Sequence, residues 1–223
     1  KAFQINKIPI IQLFGRNETE LQKLSTTFNI PYSTKELQKA DLYIISVSDS
    51  AVEEVSTLIP FEDVLVAHTS GSLPKETLKG RYRKASFYPL QTFSKTKDLD
   101  YSKIPFFIES EHDKDSKTLE TLARTISQNV MFSTFEKRKY IHLTAVFACN
   151  FVNHLFARAK EISDSQEIPF DYFLPLIDET VEKIHLIDPK LAQTGPAVRN
   201  DQSILDLHQN LISSEEHLKI YQT

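Results

Sequence analysis

The turn at residues 68–72, with the sequence His-Thr-Ser-Gly-Ser, concentrates side chains that are able to do chemistry. A histidine donates or accepts a proton near neutral pH, and hydroxyl groups hydrogen-bond ligands. The turn follows an apolar run typical of a buried strand, and ligands of α/β proteins bind at the carboxyl ends of strands. We therefore predict that His68 is a catalytic acid or base, and that Ser70 and Gly71 line a cofactor pocket. A buried structural histidine is the alternative.

Polar residues also follow two other predicted strands, at residues 8–14 and 41–47. Residues 8–14 would be the second strand of a dinucleotide-binding fold. Such folds place a carboxylate after that strand when they bind NAD, whereas an arginine there suits the 2′-phosphate of NADP. This chain has an arginine directly after Gly15. We predict that five residues bind the cofactor: Gly15, Arg16, Asn17, Ser48 and Asp49. The alternatives are a solvated arginine and plain helix caps.

Strand and helix patterns alternate from about residue 8 to residue 133. This order predicts an α/β fold with a doubly wound, mostly parallel Rossmann-like sheet. The chain contains no G-x-G-x-x-G loop and begins as if within the helix that should follow one, so we expect a first strand and a glycine loop before Lys1. Residues 135–223 are predicted to be all helical. The predicted domains are 1–134, which binds the dinucleotide, and 135–223, which binds substrate and dimerises.

The run at residues 137–163 contains no helix breaker and has apolar residues on almost every face. It predicts one long helix that is buried on all sides. Spacings of three and four place His142, Cys149 and Asn153 on one stripe, with Asn150 at its edge. We predict that His142 and Asn150 are catalytic and that Asn153 binds substrate. A polar dimer seam is the alternative, and Cys149 is interpreted as a small core residue.

Two further residues are predicted to bind substrate. Gln91 follows a predicted strand, and the alternative is a turn anchored by Pro89. Arg199 lies on a turn where its guanidinium would bind a carboxylate in a bidentate fork, or would pair with Asp201 instead. The remaining histidines lack metal-binding spacing, so no metal site is predicted.

Five strings together indicate a family: GRN at 15–17, HTSGS at 68–72, YPLQTF at 88–93, ACNFV at 148–152 and TGPAVRND at 194–201. They resemble the bacterial oxidoreductases that join a Rossmann-like NADP-binding domain to a helical C-terminal domain of unknown function. That group is similar to coenzyme F420-dependent NADP oxidoreductases, pyrroline-5-carboxylate reductases and ketopantoate reductases. The resemblance implies an NADP-binding fold and a helical dimerisation domain, but no particular reaction. Such proteins commonly have histidine where Tyr88 stands, which argues against a catalytic role there, and glycine where Asn200 stands.

Composition limits the classes of molecule that the 223-residue chain is expected to bind. A net charge of −4 gives no electrostatic footprint for nucleic acid or an anionic membrane, and no apolar run reaches membrane-spanning length. The single cysteine fits a reducing cytoplasm. We predict a cytoplasmic NADP(H)-dependent oxidoreductase that is a homodimer and binds an unidentified small molecule between its domains. The alternative is a non-catalytic dinucleotide-binding dimer that acts as a sensor or a scaffold.

Overall fold

The computed structural model describes residues 1–94 and 97–222. The chain forms two compact units, Lys1–Cys149 and Asn150–Thr223. The domain boundary predicted between residues 134 and 135 stays a prediction. Among the described residues, no helix is both long enough and apolar enough to cross a membrane.

The first unit alternates strands with helices. Its elements, in chain order, are α1 (Ala2–Ile5), β1 (Leu13–Phe14), α2 (Glu18–Phe28), β2 (Tyr32–Ser33), β3 (Leu42–Ile45), α3 (Asp49–Ser56), β4 (Leu65–His68), β5 (Arg83–Pro89), β6 (Phe106–Ser110), α4 (Asp113–Arg124), β7 (Val130–Phe132) and α5 (Phe135–Ala145). Strands β1 and β2 form a parallel pair, and the other five form a sheet in the order β3-β4-β5-β6-β7. All neighbours in that sheet are parallel except β5 and β6, which are antiparallel.

Helices cover both faces of the five-stranded sheet. Leu65 on β4 belongs to one buried cluster with Leu119 of α4, while Val66 belongs to a second cluster with Val52 of α3. Successive side chains of a strand point to opposite faces, so a strand between two helical layers is apolar at every position. The prediction of a doubly wound, mostly parallel sheet is confirmed.

The second unit is helical. It contains α6 (Val152–Ser165), α7 (Leu174–Lys183), α8 (Pro189–Ala192), α9 (Gln202–Leu211) and α10 (Glu215–Tyr221). The Asp201 side chain caps α9 by accepting a hydrogen bond from the Ile204 N–H. Asn200 has a φ of 52°, a left-handed conformation that asparagine tolerates better than most residues.

Two predictions about secondary structure are wrong. Of the strand predicted at residues 8–14, only Leu13 and Phe14 pair with another strand, and their partner is β2. The helix predicted at residues 137–163 is interrupted by a π-helical turn, Val146–Phe151, between α5 and α6. Phe147 on this turn is 60% exposed in the single chain. Burial of such side chains would need the predicted homodimer, so the prediction of burial on all sides stays a prediction.

Candidate functional site

The carboxyl ends of three strands meet at one edge of the five-stranded sheet. Ile45 of β3 pairs with His68 of β4, which in turn pairs with Ser86 of β5. The segments that leave these parallel strands, at residues 46–49, 69–72 and 90–91, therefore emerge at the same edge. This edge is the candidate functional site.

His68 is fully buried at this edge. Its Nδ1 accepts a hydrogen bond from the Ser70 N–H at 3.2 Å, which leaves the ring proton on Nε2. Burial, and secondarily the positive charge of Arg138, lowers the pKa of His68 to about 4, and the nearby Pro74 carbonyl opposes this shift without completing a hydrogen bond of standard geometry. The catalytic role of His68 stays a prediction. Its burial favours the structural alternative.

Ser70 and Gly71 shape the turn after β4. The Ser70 hydroxyl oxygen accepts hydrogen bonds from the N–H groups of Ser72 and Leu73, at 3.0 and 3.2 Å. A Cβ atom on Gly71 would lie 2.7 Å from Nδ1 of His142 and 2.8 Å from Cζ of Tyr88. Real Cβ atoms do not approach so closely, so the absence of a side chain at Gly71 lets these two rings pack against the backbone.

Tyr88 and His142 form the polar contact next to this turn. Tyr88 lies on β5 and is only 8% exposed, and its hydroxyl oxygen lies 3.1 Å from Nδ1 of His142 on α5. Burial, and secondarily the negative charge of Asp49, raises the pKa of the Tyr88 hydroxyl, against an opposing effect of Arg138. The sequence analysis missed this role of Tyr88. A tyrosine 54 residues away from its partner gives no sequence signal of the contact.

A surface pocket of about 410 Å³ adjoins His142. Its walls come from the turn after β4 and from α5 with the residue that follows it, and they are formed by Ser72, Phe135, Lys139, Tyr140, His142, Leu143 and Val146. Lys139 is ion-paired with Glu136 at 2.5 Å and lies over the rings of Phe135 and Tyr140. The pocket is thus largely apolar, with an imidazole on its wall.

Arg138 is a second residue that the sequence analysis missed. It is fully buried and links α5 to β6 and to the turn after β4. One guanidinium nitrogen donates to the Glu109 carboxylate at 2.5 Å, and another donates to the Leu73 carbonyl at 2.7 Å. Lys75 lies 3.4 Å from the other oxygen of Glu109. A buried charge needs partners of this kind, and here they fix the turn against the helix that carries His142.

The predicted cofactor residues lie at two strand ends. Arg16 is exposed, and Asn17 caps α2 by accepting a hydrogen bond from the Glu20 N–H at 3.1 Å. Ser48 and Asp49 are exposed at the start of α3, where Ser48 forms no capping hydrogen bond. The charge of Asp49 acts on both His68 and Tyr88, so the end of β3 is close to the ends of β4 and β5.

A second pocket, of about 360 Å³, lies beside the residue that precedes Gly15. It is lined by Phe14, Lys35, Glu36, Leu37, Leu58 and Pro60. A Cβ atom on Gly15 would make only ordinary contacts, 3.7 Å or more from Leu21. Apolar walls with a few polar groups at their rim are typical of small-molecule sites.

The predicted substrate residues belong to both units. Gln91 is exposed in the first unit, and its side-chain oxygen accepts a hydrogen bond from the Thr92 N–H at 2.7 Å. Asn153 and Arg199 belong to the second unit and are exposed, and so is Asn150 of that unit, which was predicted to be catalytic.

The structure also tests two interpretations of the sequence, an Arg199–Asp201 ion pair and a buried Cys149. The Asp201 carboxylate accepts hydrogen bonds from Ser203 and Ile204, and no contact joins it to Arg199. The interpretation of Cys149 as a core residue is wrong, because Cys149 is exposed on the π-helical turn.

Residues 104–223 match the model of a family described as a domain of unknown function, DUF2520. The chain is similar to the crystal structure of a candidate NADP oxidoreductase from Bacteroides fragilis, with 38% sequence identity and a TM-score of 0.93 over 99% of this chain and 88% of that one. No curated protein matches it.

More distant structures share the fold. A protein from Thermotoga maritima is 21% identical, with a TM-score of 0.81 over 99% of this chain and 93% of that one. An imine reductase from Myxococcus stipitatus, solved in complex with NADP⁺, is 8% identical, with a TM-score of 0.60 over 94% and 81% of the two chains.

Proposed function

Because this chain belongs to the DUF2520 family, we propose that it is an NADP(H)-dependent oxidoreductase that reduces or forms a carbonyl or imine group on a small molecule. The observation that carries the proposal is the likeness, along nearly the whole chain, to the candidate NADP oxidoreductase from Bacteroides fragilis. A nicotinamide cofactor would supply the hydride chemistry, while the protein binds, orients and moves a proton.

The residues after β1 fit a cofactor with a 2′-phosphate. Arg16 is exposed and forms no hydrogen bond or ion pair with any residue in the described part of the chain, so its guanidinium is available to an anion. No carboxylate lies between Phe14 and Asn17, whereas an NAD site would place one there. The pocket of about 360 Å³ next to Phe14 is lined by apolar residues together with Lys35 and Glu36. It would hold an adenine ring, with Lys35 as a second cation. Asp49, which is exposed at the start of α3, would accept hydrogen bonds from ribose hydroxyls.

Titration of the full chain with NADPH and NADH tests the cofactor assignment. We expect tighter binding of NADPH, and Arg16→Ala should weaken NADPH binding by roughly 10- to 100-fold, the range of a charge-assisted hydrogen bond, while leaving NADH binding unchanged. Arg81→Ala is the matched control, because Arg81 is an exposed arginine paired with Glu62. Equal NADPH affinities for wild type and Arg16→Ala would contradict the assignment, as would a preference for NADH.

Turnover separates an enzyme from a binding protein. The wild-type chain should oxidise NADPH in the presence of at least one carbonyl or imine from a small panel of benzaldehyde, pyruvate and 1-pyrroline. Tight NADPH binding without oxidation by any of these compounds would argue against the reductase and for a non-catalytic dinucleotide-binding dimer.

The helical unit supports a proposal about assembly. Its most exposed apolar side chains include Leu186, 84% exposed, and Leu191, 77% exposed. Soluble proteins rarely leave such a surface uncovered. We propose that a second copy of the chain covers it in a homodimer, and that the protein acts in the cytoplasm.

A further inference from the structure

We propose that Tyr88 and His142 are the proton-delivering pair of the oxidoreductase site, with His142 donating from Nε2 and Tyr88 acting as its positioning residue. This inference rests on the proposed function and names the groups that carry out its proton transfer. The resemblance to proteins that have histidine at this position argued against a catalytic role for Tyr88. The proposal gives Tyr88 a positioning role instead.

The geometry gives the two imidazole nitrogens different roles. Nδ1 of His142 is occupied by the Tyr88 hydroxyl at 3.1 Å, on the side where the rings pack over Gly71. Nε2 contacts no hydrogen-bonding group among the residues that the structure describes, and the half-buried His142 ring lines the apolar pocket of about 410 Å³. An imidazole held through one nitrogen is oriented to present the other nitrogen to a ligand.

In the direction of reduction, a bound reduced nicotinamide would supply the hydride to the carbonyl carbon and would itself be oxidised. The carbonyl oxygen takes the proton from Nε2 of protonated His142. The C=O π bond is replaced by new C–H and O–H bonds, and the N–H bond at Nε2 breaks. The neutral imidazole keeps its Nδ1 proton, which it donates to the Tyr88 oxygen. Water restores the Nε2 proton before the next turnover.

A phenol suits this position because it remains neutral. Burial and the charge of Asp49 raise the pKa of the Tyr88 hydroxyl, so the proton stays on the imidazole instead of being shared with a phenolate. The charged groups around the pair come from two helices: Asp49 on α3, and Arg138 and Lys139 on α5. Arg138 is paired with a carboxylate, and His68 on β4 is neutral at physiological pH because its pKa is lowered to about 4.

Nitrogen NMR of the full chain labelled with ¹⁵N tests the pairing without a substrate. The His142 ring signals are identified by their loss in His142→Gln, and their positions show which nitrogen of the neutral ring carries the proton. In wild type the proton should lie on Nδ1, which faces the Tyr88 oxygen at 3.1 Å. Tyr88→Phe keeps the packing of the ring but removes the oxygen that accepts from Nδ1, so the proton should move to Nε2.

Tyr82→Phe is the matched control for this experiment. Tyr82 is also a buried tyrosine, but its hydroxyl donates to the carbonyls of Ser56 and Lys79 rather than to a histidine. The proton should remain on Nδ1 of His142 in this variant, as in wild type. A proton that remains on Nδ1 in Tyr88→Phe, or that leaves Nδ1 in both variants, would overturn the pairing.

Kinetics on the carbonyl and imine panel test proton delivery. For every compound that the wild type reduces, His142→Gln should lower kcat by roughly 100-fold or more, with the NADPH dissociation constant unchanged. Tyr88→Phe should lower kcat less, because it frees the orientation of the imidazole without removing its proton. Wild-type kcat values in His142→Gln would overturn proton delivery. If the wild type neither binds NADPH nor reduces any compound, the proposed function fails, while the position of the His142 ring proton in the NMR spectra still decides the pairing.

Discussion

The two units of this chain differ in what they do with their apolar side chains. Every buried hydrophobic residue in the described part of the chain lies between Leu21 and Ile126, within the sheet unit. The helical unit has none among its described residues, and many of its large apolar side chains are exposed. Hydrophobic burial is the dominant favourable contribution to folding, so the sheet unit has a core of its own, whereas the helical unit leaves large apolar side chains exposed.

Two arginines, one in each unit, differ in the same way. Arg138 in the sheet unit is fully buried, with its guanidinium bonded to Glu109 and to a backbone carbonyl. Arg158 in the helical unit is ion-paired with Glu161 and Glu216, but its side chain is 25% exposed. The cost of losing a partner depends on access to water, so the two arginines should respond differently to the same substitution.

The largest expected effect comes from Arg138→Met. This change leaves the Leu73 carbonyl without its donor and Glu109 with Lys75 alone, and we expect a loss of about 3–5 kcal/mol in the free energy of unfolding. The matched Arg158→Met should cost at most about 1 kcal/mol, because water can replace the lost ion pairs. Urea unfolding measures both values. Similar losses would show that burial does not distinguish the two arginines.

A somewhat smaller effect is expected from pH, through His68. Its pKa is about 4 in the folded chain, below the ordinary histidine value of 6.5 that applies to the unfolded chain, so the unfolded chain binds the proton more readily. The stability that depends on neutral His68 is complete above about pH 6.5, falls as the pH is lowered, and stops falling below about pH 4. The loss is about 3 kcal/mol, from roughly 1.4 kcal/mol per pH unit.

Urea unfolding across this pH range should therefore show a steeper decline for wild type than for His68→Gln, which cannot titrate. Parallel declines in the two proteins would mean that His68 is protonated equally easily in the folded and unfolded chains.

The smallest expected effect concerns association through the helical unit. The double variant Leu176→Lys, Leu186→Lys places two charges on its exposed apolar surface. Desolvated charges oppose association, so the dimer dissociation constant measured by sedimentation should rise by roughly 10- to 100-fold. The matched double variant Leu58→Lys, Met131→Lys changes exposed apolar residues of the sheet unit and should remain dimeric. A monomeric wild type, or equal weakening by both pairs, would contradict the assignment of this surface.

Much of the fold was predictable because local patterns determine it. Alternating strand and helix signals, the Asn17 cap and the polar turn after β4 each depend on residues only a few positions apart. The failures concern interactions with distant segments. Residues 8–12 resemble a strand but form no ladder, and residues 137–163 resemble one long helix but contain a π-helical turn.

The sequence by itself therefore determined the class of fold, the position of the strand ends and the family. Only the tertiary structure decided which polar groups at that edge meet. It buried His68, bonded the Ser70 hydroxyl within its own turn, and joined Tyr88 to His142 across 54 residues. The physical reason is that propensity and periodicity act over a few residues, whereas such contacts depend on strand register and on helix packing against the sheet.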